Sequence, residues 1–350
     1  MAKAQIAAGS IRHYQALDAL RGLAALAIVA CHLAVQAGVQ GFADYGYLAV
    51  DLFFIMSGFV IANAYEQKLH ISISIWQFIK IRVFRLYPAM ALGLLIAILG
   101  NFYLTGSLVS LAVAVRHFLL IPSLGDHILF PLNPVLWSLF FELFINVVHA
   151  LSVKWLDMRR ISFLTLLFGA TFLFMIWLYK SAGIGWASEN FLGGFARVAW
   201  GYCAGVLIFR WMRGKNIPAI SPGWSLLLAA AALYAPNIGG NAIRVLATVF
   251  FVLPSTVLLA VASRPFKRLG WLSAIAGDVS YPLYTIHFPL AVLAGAVVAP
   301  GHNIYAWGLV AATILVLALL AEKLYDAPIR RLLKTRALKQ QKESMSVLRA

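Results

Sequence analysis

The chain is 350 residues long, 62% of them hydrophobic and 11% charged, and its formal net charge is +16. Soluble globular domains contain about 25% charged residues, so this composition excludes a soluble enzyme. It also excludes a disordered chain, because disordered segments lack the apolar and aromatic residues that are abundant here. The remaining class is an all-α integral membrane protein, a polytopic helical bundle that crosses the bilayer many times.

Ten segments are apolar enough to predict transmembrane helices, since a spanning helix needs about 20 predominantly apolar residues. They are 19–38, 46–65, 84–104, 134–153, 161–179, 191–211, 222–236, 243–263, 273–298 and 304–326. The seventh is the shortest and is interrupted by Pro236. The stretch 108–121 is too short to span a bilayer and predicts an interfacial or re-entrant helix.

The distribution of Lys and Arg predicts the orientation, because cytoplasmic loops of membrane proteins carry an excess of both residues. Twenty-two of them lie in segments on the side of the N-terminus and three on the opposite side. This predicts that both termini are cytoplasmic, with an N-terminal segment 1–18, a transmembrane domain 19–326 and a basic tail 327–350. Orientation and contact with the headgroups of the lipid bilayer account for the basic loops. The positive charge therefore implies no nucleic-acid partner.

Arg21 and His32 lie on one face of the first predicted helix. They are eleven residues apart, which corresponds to about 20° around a helix and about 16 Å along it. Ionisable groups inside a membrane are costly and mark functional sites, and Asp18, one turn earlier, is placed to orient Arg21. Two structural alternatives remain open. In the first, Arg21 is a boundary residue whose charge reaches the headgroups, and in the second, His32 is a hydrogen-bonded core residue.

Depth along the predicted helices places three titratable residues near the level of His32. Counted from the helix ends at about 1.5 Å per residue, Asp51, Glu142 and His287 all fall in the outer half of the bilayer. A histidine beside a carboxylate suits general-base catalysis near neutral pH. We therefore predict His32 as the base, oriented by Asp51 or Glu142. A proton relay or a structural hydrogen-bond cluster is the alternative.

A second cluster lies at the predicted cytoplasmic end, where Arg21 is joined by Lys80, Arg82 and Arg85. Guanidinium groups form paired hydrogen bonds with phosphate oxygens, so the cluster predicts a binding site for a phosphate-bearing donor. The excess of Lys and Arg that is expected in cytoplasmic loops explains Lys80, but it explains Arg82 and Arg85 less well. We expect the third helix to begin here, with Pro88 in its first turn.

The sequence predicts neither a metal site nor a serine nucleophile. His287 and His302 lack the spacing to other His, Cys, Asp or Glu residues that metal ligands require. Ser57 and Ser138 lie outside any Gly-x-Ser-x-Gly motif, so packing or hydrogen bonding is the favoured interpretation of both.

Four motifs and two further runs, in order, make residues 14–331 resemble the membrane acyltransferase-3 family. The first, LDALRGLAALAIVACHL, has the family's Arg and His separated by ten residues, and the second ends in Phe-Phe-x-x-Ser-Gly-Phe at 53–59. The third is Arg-x-x-Arg-x-x-Pro, beginning at Arg82, and the fourth is Asn-x-x-x-Trp-Ser-Leu-x-x-Glu, beginning at Asn133. The runs SYPLYTIHFPL and EKLYDAPIRR complete the order.

The resemblance implies an O-acyltransferase, usually an acetyltransferase, of the bacterial cytoplasmic (inner) membrane. The implied donor is acyl-coenzyme A, with no permanently bound cofactor, and the implied acceptor is a hydroxyl group of a glycan or lipid-linked sugar. Together with the predicted depths, it gives three catalytic candidates, His32, Glu142 and Asp51. The donor-binding candidates are Arg21, Arg82 and Arg85. The substrate-binding candidates are Asn133, Trp137, Ser138, Tyr281 and His287.

The sequence leaves two other functions open. A secondary transporter would use the intramembrane histidines and carboxylates as a relay, although no inverted repeat is visible in the sequence. A membrane-bound O-acyltransferase of a different fold would keep the chemistry but not this order of motifs. Some members of the family carry a fused extracytoplasmic SGNH-type hydrolase domain, and we expect the form without it. The oligomeric state is left open.

Overall fold

The structure is a bundle of α-helices, with no β-strand among the residues that it describes, and it confirms the predicted all-α integral membrane class. This computed structural model describes residues 13–215, 217–235, 242–298 and 304–336. Its helices are α1 (Gln15–Ala37), α2 (Ala49–Ile71), α3 (Ile75–Thr105), α4 (Leu111–Phe118), α5 (Leu136–Ser152), α6 (Met158–Tyr179), α7 (Phe191–Met212), α8 (Gly223–Tyr234), α9 (Ala242–Ala247), α10 (Leu253–Val261), α11 (Gly270–Val297) and α12 (Ile304–Ala321). Pro236, His302 and most of the predicted N-terminal segment and tail lie outside the described residues.

Eight helical segments of the described chain are long and apolar enough to cross a bilayer. Two predicted spans correspond to shorter helices, α5 with 17 residues and α8 with 12 residues. The stretch 108–121 contains the eight-residue helix α4. The polytopic architecture is therefore confirmed, whereas the number of ten crossings and the cytoplasmic position of both termini stay predictions.

Helix α3 begins earlier than predicted, at Ile75 instead of residue 84. Its start is fixed by a capping box. The side chain of Ser74 accepts a hydrogen bond from the backbone N–H of Gln77, and the Gln77 side chain accepts one from the N–H of Ser74. Lys and Arg lower the hydropathy of this stretch but are good helix formers, so hydropathy alone misplaced the helix end. Pro88 consequently lies inside α3 and not in its first turn.

Pro88 weakens the backbone hydrogen bonding of α3, because proline lacks an N–H and its ring disturbs the preceding turn. Close to it, the N–H of Ala89 donates to Oδ1 of Asp326 (3.1 Å), which lies in a π-helical turn after α12. The carbonyl of Leu86 accepts a hydrogen bond from the hydroxyl of Tyr281 on α11 (2.6 Å). Two elements distant in the chain therefore hold the middle of α3.

Helices α2 and α7 pack with their backbones close together. Gly201 and Gly205 on α7 form a GxxxG pair, which allows close approach of helices in membranes. A Cβ atom on Gly205 would lie 2.0 Å from the carbonyl oxygen of Ile55, and one on Gly58 of α2 would lie 2.1 Å from that of Tyr202. The position of α2, which carries residues of the functional site, depends on this contact.

We expect Gly205→Ala to destabilise the folded protein by about 1–3 kcal/mol, because the added methyl group must push α7 away from α2. The measurement is the free energy of unfolding of the purified protein in detergent micelles. Gly308→Ala is the matched control, since a Cβ atom at Gly308 would have no heavy atom within 4 Å. Equal stability of the two variants would contradict the packing described above.

Candidate active site

A cavity of about 380 Å³ lies between α1, α2, α3, α5 and α11. Its charged lining residues are Arg21, Arg82, Arg85 and Glu142, and four of its hydroxyl-bearing lining residues are Ser57, Ser138, Tyr281 and Tyr284. The rest of the wall is mostly apolar. The structure thus brings six of the predicted site residues, carried by four helices, to one cavity.

The cavity carries an excess of positive charge. Arg21 donates a hydrogen bond to Asp18 (2.9 Å), one turn earlier, as the spacing predicted, and Arg82 donates to Glu142 (2.6 Å). Arg85 lines the cavity and makes no ion pair or hydrogen bond with the described residues. Because a charge removed from water is costly without a partner, this cavity is suited to an anionic ligand that supplies the missing negative charge.

Glu142 pairs with an arginine and a serine, although its predicted depth placed it near His32. Its carboxylate accepts hydrogen bonds from Arg82 and from the hydroxyl of Ser57 (3.3 Å). The reason is the early start of α3, which places Arg82 seven residues inside the helix, about 10 Å from its end. The predicted donor site and the predicted catalytic carboxylate are therefore parts of one cluster.

Asp51 is kept out of the cavity by an ion pair that was not predicted from the sequence. Arg197 on α7 donates two hydrogen bonds to its carboxylate (2.8 and 2.7 Å), and both side chains are 1% exposed. The same guanidinium donates to the carbonyl of Ile184 (3.0 Å) and lies 5.2 Å from the ring centroid of Trp137. Asp51 therefore does not orient His32, and Trp137 packs on the buried pair instead of lining the cavity.

The sequence did contain a signal for this pair. Asp51 and Arg197 are isolated charges of opposite sign in two apolar segments, and such charges are buried facing each other in membrane proteins. Depth alone does not distinguish Arg197 from His32 as the partner of Asp51, and Arg197 had no predicted role.

Asn133 supports α11 from the side. It is fully buried, and its Nδ2 donates to the carbonyl of Thr285 (3.0 Å). That carbonyl lacks its helical donor because Pro289, four residues later, has no N–H. Asn133 thus satisfies a backbone group of α11 and does not line the cavity, in contrast to its predicted role in substrate binding.

Ser138 and Tyr281 line the cavity, but their hydroxyl groups have protein partners. The hydroxyl of Tyr281 donates to the backbone of α3, and that of Ser138 forms a hydrogen bond with the hydroxyl of Tyr284 (2.6 Å). Tyr284, which was not predicted, packs edge-to-face on Phe53 with 6.0 Å between ring centroids. Its ring centroid lies 5.9 Å from that of His287. Tyr284 therefore connects the wall of the cavity with the histidines.

His32 and His287 form a second part of the site, outside the cavity. Nδ1 of His32 lies 2.8 Å from Nε2 of His287, and the planes of their rings differ by 13°. This contact agrees with the similar depth predicted for the two residues. His287 is fully buried, whereas His32 is partly exposed. The ring of His287 is thus enclosed by protein and is not presented to a substrate, in contrast to its predicted role in substrate binding.

Most of the chain matches one protein family: the profile described as "Acyltransferase domain" matches residues 14–322. "Protein 2 in picA locus" of Rhizobium radiobacter is 40% identical over 154 residues, which are 38% of this chain and 79% of that protein. "Exopolysaccharide production protein ExoZ" of Rhizobium meliloti is 28% identical over 73% of this chain and 80% of its own length. "Peptidoglycan O-acetyltransferase OatA" of Listeria monocytogenes is 23% identical over 92% of this chain, which spans 56% of that protein. No solved structure matches.

We expect Asp51→Asn to destabilise the protein by about 3–5 kcal/mol, because it leaves the buried guanidinium of Arg197 without its counter-charge. The double variant Asp51→Leu with Arg197→Met should cost less, since it removes both charges. Unfolding free energies in detergent micelles measure both effects. A double variant that is less stable than Asp51→Asn would show that the uncompensated charge is not the main cost of breaking the pair.

Proposed function

Because the chain belongs to the membrane acyltransferase-3 family, we propose that it transfers an acyl group from acyl-coenzyme A to a hydroxyl group of a glycan or lipid-linked sugar. Acetyl is the proposed acyl group. The observation that carries the proposal is the arginine-lined cavity, in which Arg85 forms no ion pair with any of the described residues. Coenzyme A is a polyphosphate that supplies a counter-charge, and as a substrate it leaves after each turnover.

The donor enters, in this proposal, from the side predicted to be cytoplasmic. Its phosphates pair with Arg85 and Arg21, whose planar guanidinium groups suit phosphate oxygens. Arg82 has binding capacity left as well, because its buried Nε has no hydrogen-bond partner in the described part of the chain. The apolar wall of the cavity then accommodates the pantetheine arm, which extends toward Tyr284 and the histidine pair.

His32 acts as the general base in the proposed reaction. It takes the proton from the acceptor hydroxyl group as the oxygen attacks the thioester carbonyl carbon. The carbon–sulfur bond breaks, and the thiolate takes the proton from the His32 imidazolium. One hydroxyl group and one thioester thus give one ester and one thiol, and no other reactant is required.

The relatives support a glycan as the acceptor. One of them is a peptidoglycan O-acetyltransferase by name, and another is named for exopolysaccharide production. We therefore propose an extracytoplasmic glycan that approaches His32 from the outer side of a bacterial cytoplasmic membrane. The partial exposure of His32 is compatible with such an approach.

Arg85→Ala should weaken the binding of acetyl-coenzyme A about 10- to 100-fold, since a hydrogen bond to a charged group contributes about 1.5–3 kcal/mol. The measurement is equilibrium binding of radiolabelled acetyl-coenzyme A to the purified protein in nanodiscs. Arg268→Ala is the control, because Arg268 is an exposed arginine of a predicted cytoplasmic loop. Unchanged affinity in Arg85→Ala would show that the donor phosphates do not bind in this cavity.

His32→Ala should lower the rate of thioester cleavage about 10²- to 10⁴-fold, the contribution of a general base, with little change in donor affinity. Release of the coenzyme A thiol from acetyl-coenzyme A measures it, in proteoliposomes supplied with soluble peptidoglycan or exopolysaccharide fragments. His70→Ala, at an exposed histidine, is the control. If the wild-type protein moved glycan fragments across the membrane without cleaving any thioester, the result would reject the acyltransferase and favour the transporter.

A further inference from the structure

We infer that His287 is a positioning residue, which fixes the tautomer of His32 so that Nε2 of His32 carries the lone pair of the base. The inference rests on the proposed function, because it concerns how His32 accepts a proton. It deepens that function by identifying the group that orients the base, a role for which the sequence predicted Asp51 or Glu142.

His287 carries its own hydrogen on Nδ1. That atom lies 2.7 Å from the carbonyl oxygen of Tyr284 and 3.1 Å from that of Leu283. Carbonyl oxygens only accept hydrogen bonds, so Nδ1 of His287 is the donor. The ring is fully buried, and its hydrogen-bond partners are these carbonyls and His32. Without a carboxylate partner the buried imidazole is neutral, and its Nε2 is an acceptor.

His32 consequently donates from Nδ1. Since Nε2 of His287 accepts, the 2.8 Å contact with Nδ1 of His32 is a hydrogen bond that Nδ1 donates. A neutral imidazole with its hydrogen on Nδ1 has its lone pair on Nε2. Nε2 of His32 makes no hydrogen bond with any residue that the structure describes, and the side chain is partly exposed. The nitrogen that can take a proton is therefore the one that is free to meet an acceptor hydroxyl group.

The backbone of α11 holds this arrangement in place. The two carbonyls bonded by His287 lie three and four residues before it, so the helix itself presents them to the ring. Pro289 has no N–H to donate to the carbonyl of Thr285 in the same turn. Asn133 donates to that carbonyl instead. The ring of His287 thus has one orientation relative to α1, which packs against α11 and carries His32.

The neutral pair also suits the membrane. An orienting carboxylate would add a buried negative charge to the resting site, which costs free energy in an apolar environment. The pair of imidazoles carries no charge until His32 takes the proton. The imidazolium then keeps its Nδ1 hydrogen bond to His287, and the two carbonyl dipoles of α11 stabilise its charge through that ring.

The test compares two substitutions of His287 in the full-length protein in nanodiscs. Gln offers a side-chain oxygen as an acceptor for Nδ1–H of His32, whereas Phe fills the buried volume but accepts nothing. We expect His287→Phe to lower kcat about 10²- to 10⁴-fold, as loss of the correct tautomer does in hydrolases. KM for acetyl-coenzyme A should stay unchanged, because His287 does not line the arginine cavity. His287→Gln should retain kcat within about 10-fold of the wild type.

The tautomer is read independently by ¹⁵N NMR of histidine-labelled protein, with the His32 signals assigned by their loss in His32→Ala. The wild type and His287→Gln should show Nε2 of His32 without a hydrogen, and His287→Phe should show a mixture of tautomers. A hydrogen on Nε2 in the wild type, or wild-type kcat in His287→Phe, would overturn the inference. Absence of thioester cleavage in the wild type would instead reject the proposed function, and the NMR signals would still decide the tautomer.

Discussion

The free energy cost of a charge in hydrocarbon determines how the helices of this protein meet. Helices α2 and α7 are joined by one ion pair toward each end, Asp51 with Arg197 and Glu66 with Arg210 (2.9 Å). Between these pairs the helices approach so closely that Gly205 has no space for a side chain. The ion pairs and the close backbone contact are thus satisfied by the same register of the two helices. The side chains that α2 presents to the cavity depend on that register.

The cost of a buried charge also distinguishes the charges that hold helices together from those that face the cavity. The pair of Asp51 and Arg197 is enclosed by protein and does not line the cavity. The pair of Glu142 and Arg82 faces a cavity instead, and Arg85 beside it has no partner among the described residues. A cation in such a place is costly without an anion, and this is the physical basis for proposing a phosphate-bearing donor.

Hydropathy and motif spacing predicted the helical class, most helix positions and the residues that converge on the site. The agreement is best where one helix determines the geometry, as for Asp18 and Arg21 one turn apart. It also holds for His32 and His287, whose depths are the same because both helices were placed correctly. It fails for Glu142, because the capped start of α3 lies in a polar stretch that a hydropathy scale does not recognise as helix.

Lateral partners could not be predicted from the sequence for a different reason. Depth along a helix follows from counting residues, but the choice between two neighbours at the same depth depends on how helices pack. Asp51 lies at the predicted level and still pairs with Arg197 instead of His32. Asn133 likewise belongs to a motif that predicted substrate binding, yet its partner is a backbone carbonyl exposed by a proline of another helix.

The aromatic contact between Phe53 and Tyr284 is relevant to the electrical insulation that the membrane must keep. These rings meet where the wall of the cavity approaches His287, and neither histidine lines the cavity. A water-filled passage from the arginines to the outer surface would conduct protons and dissipate the transmembrane potential. The two rings place aromatic surface between the arginine-lined cavity and the histidine pair, and in the proposed reaction the thioester arm would have to move this surface aside to reach His32.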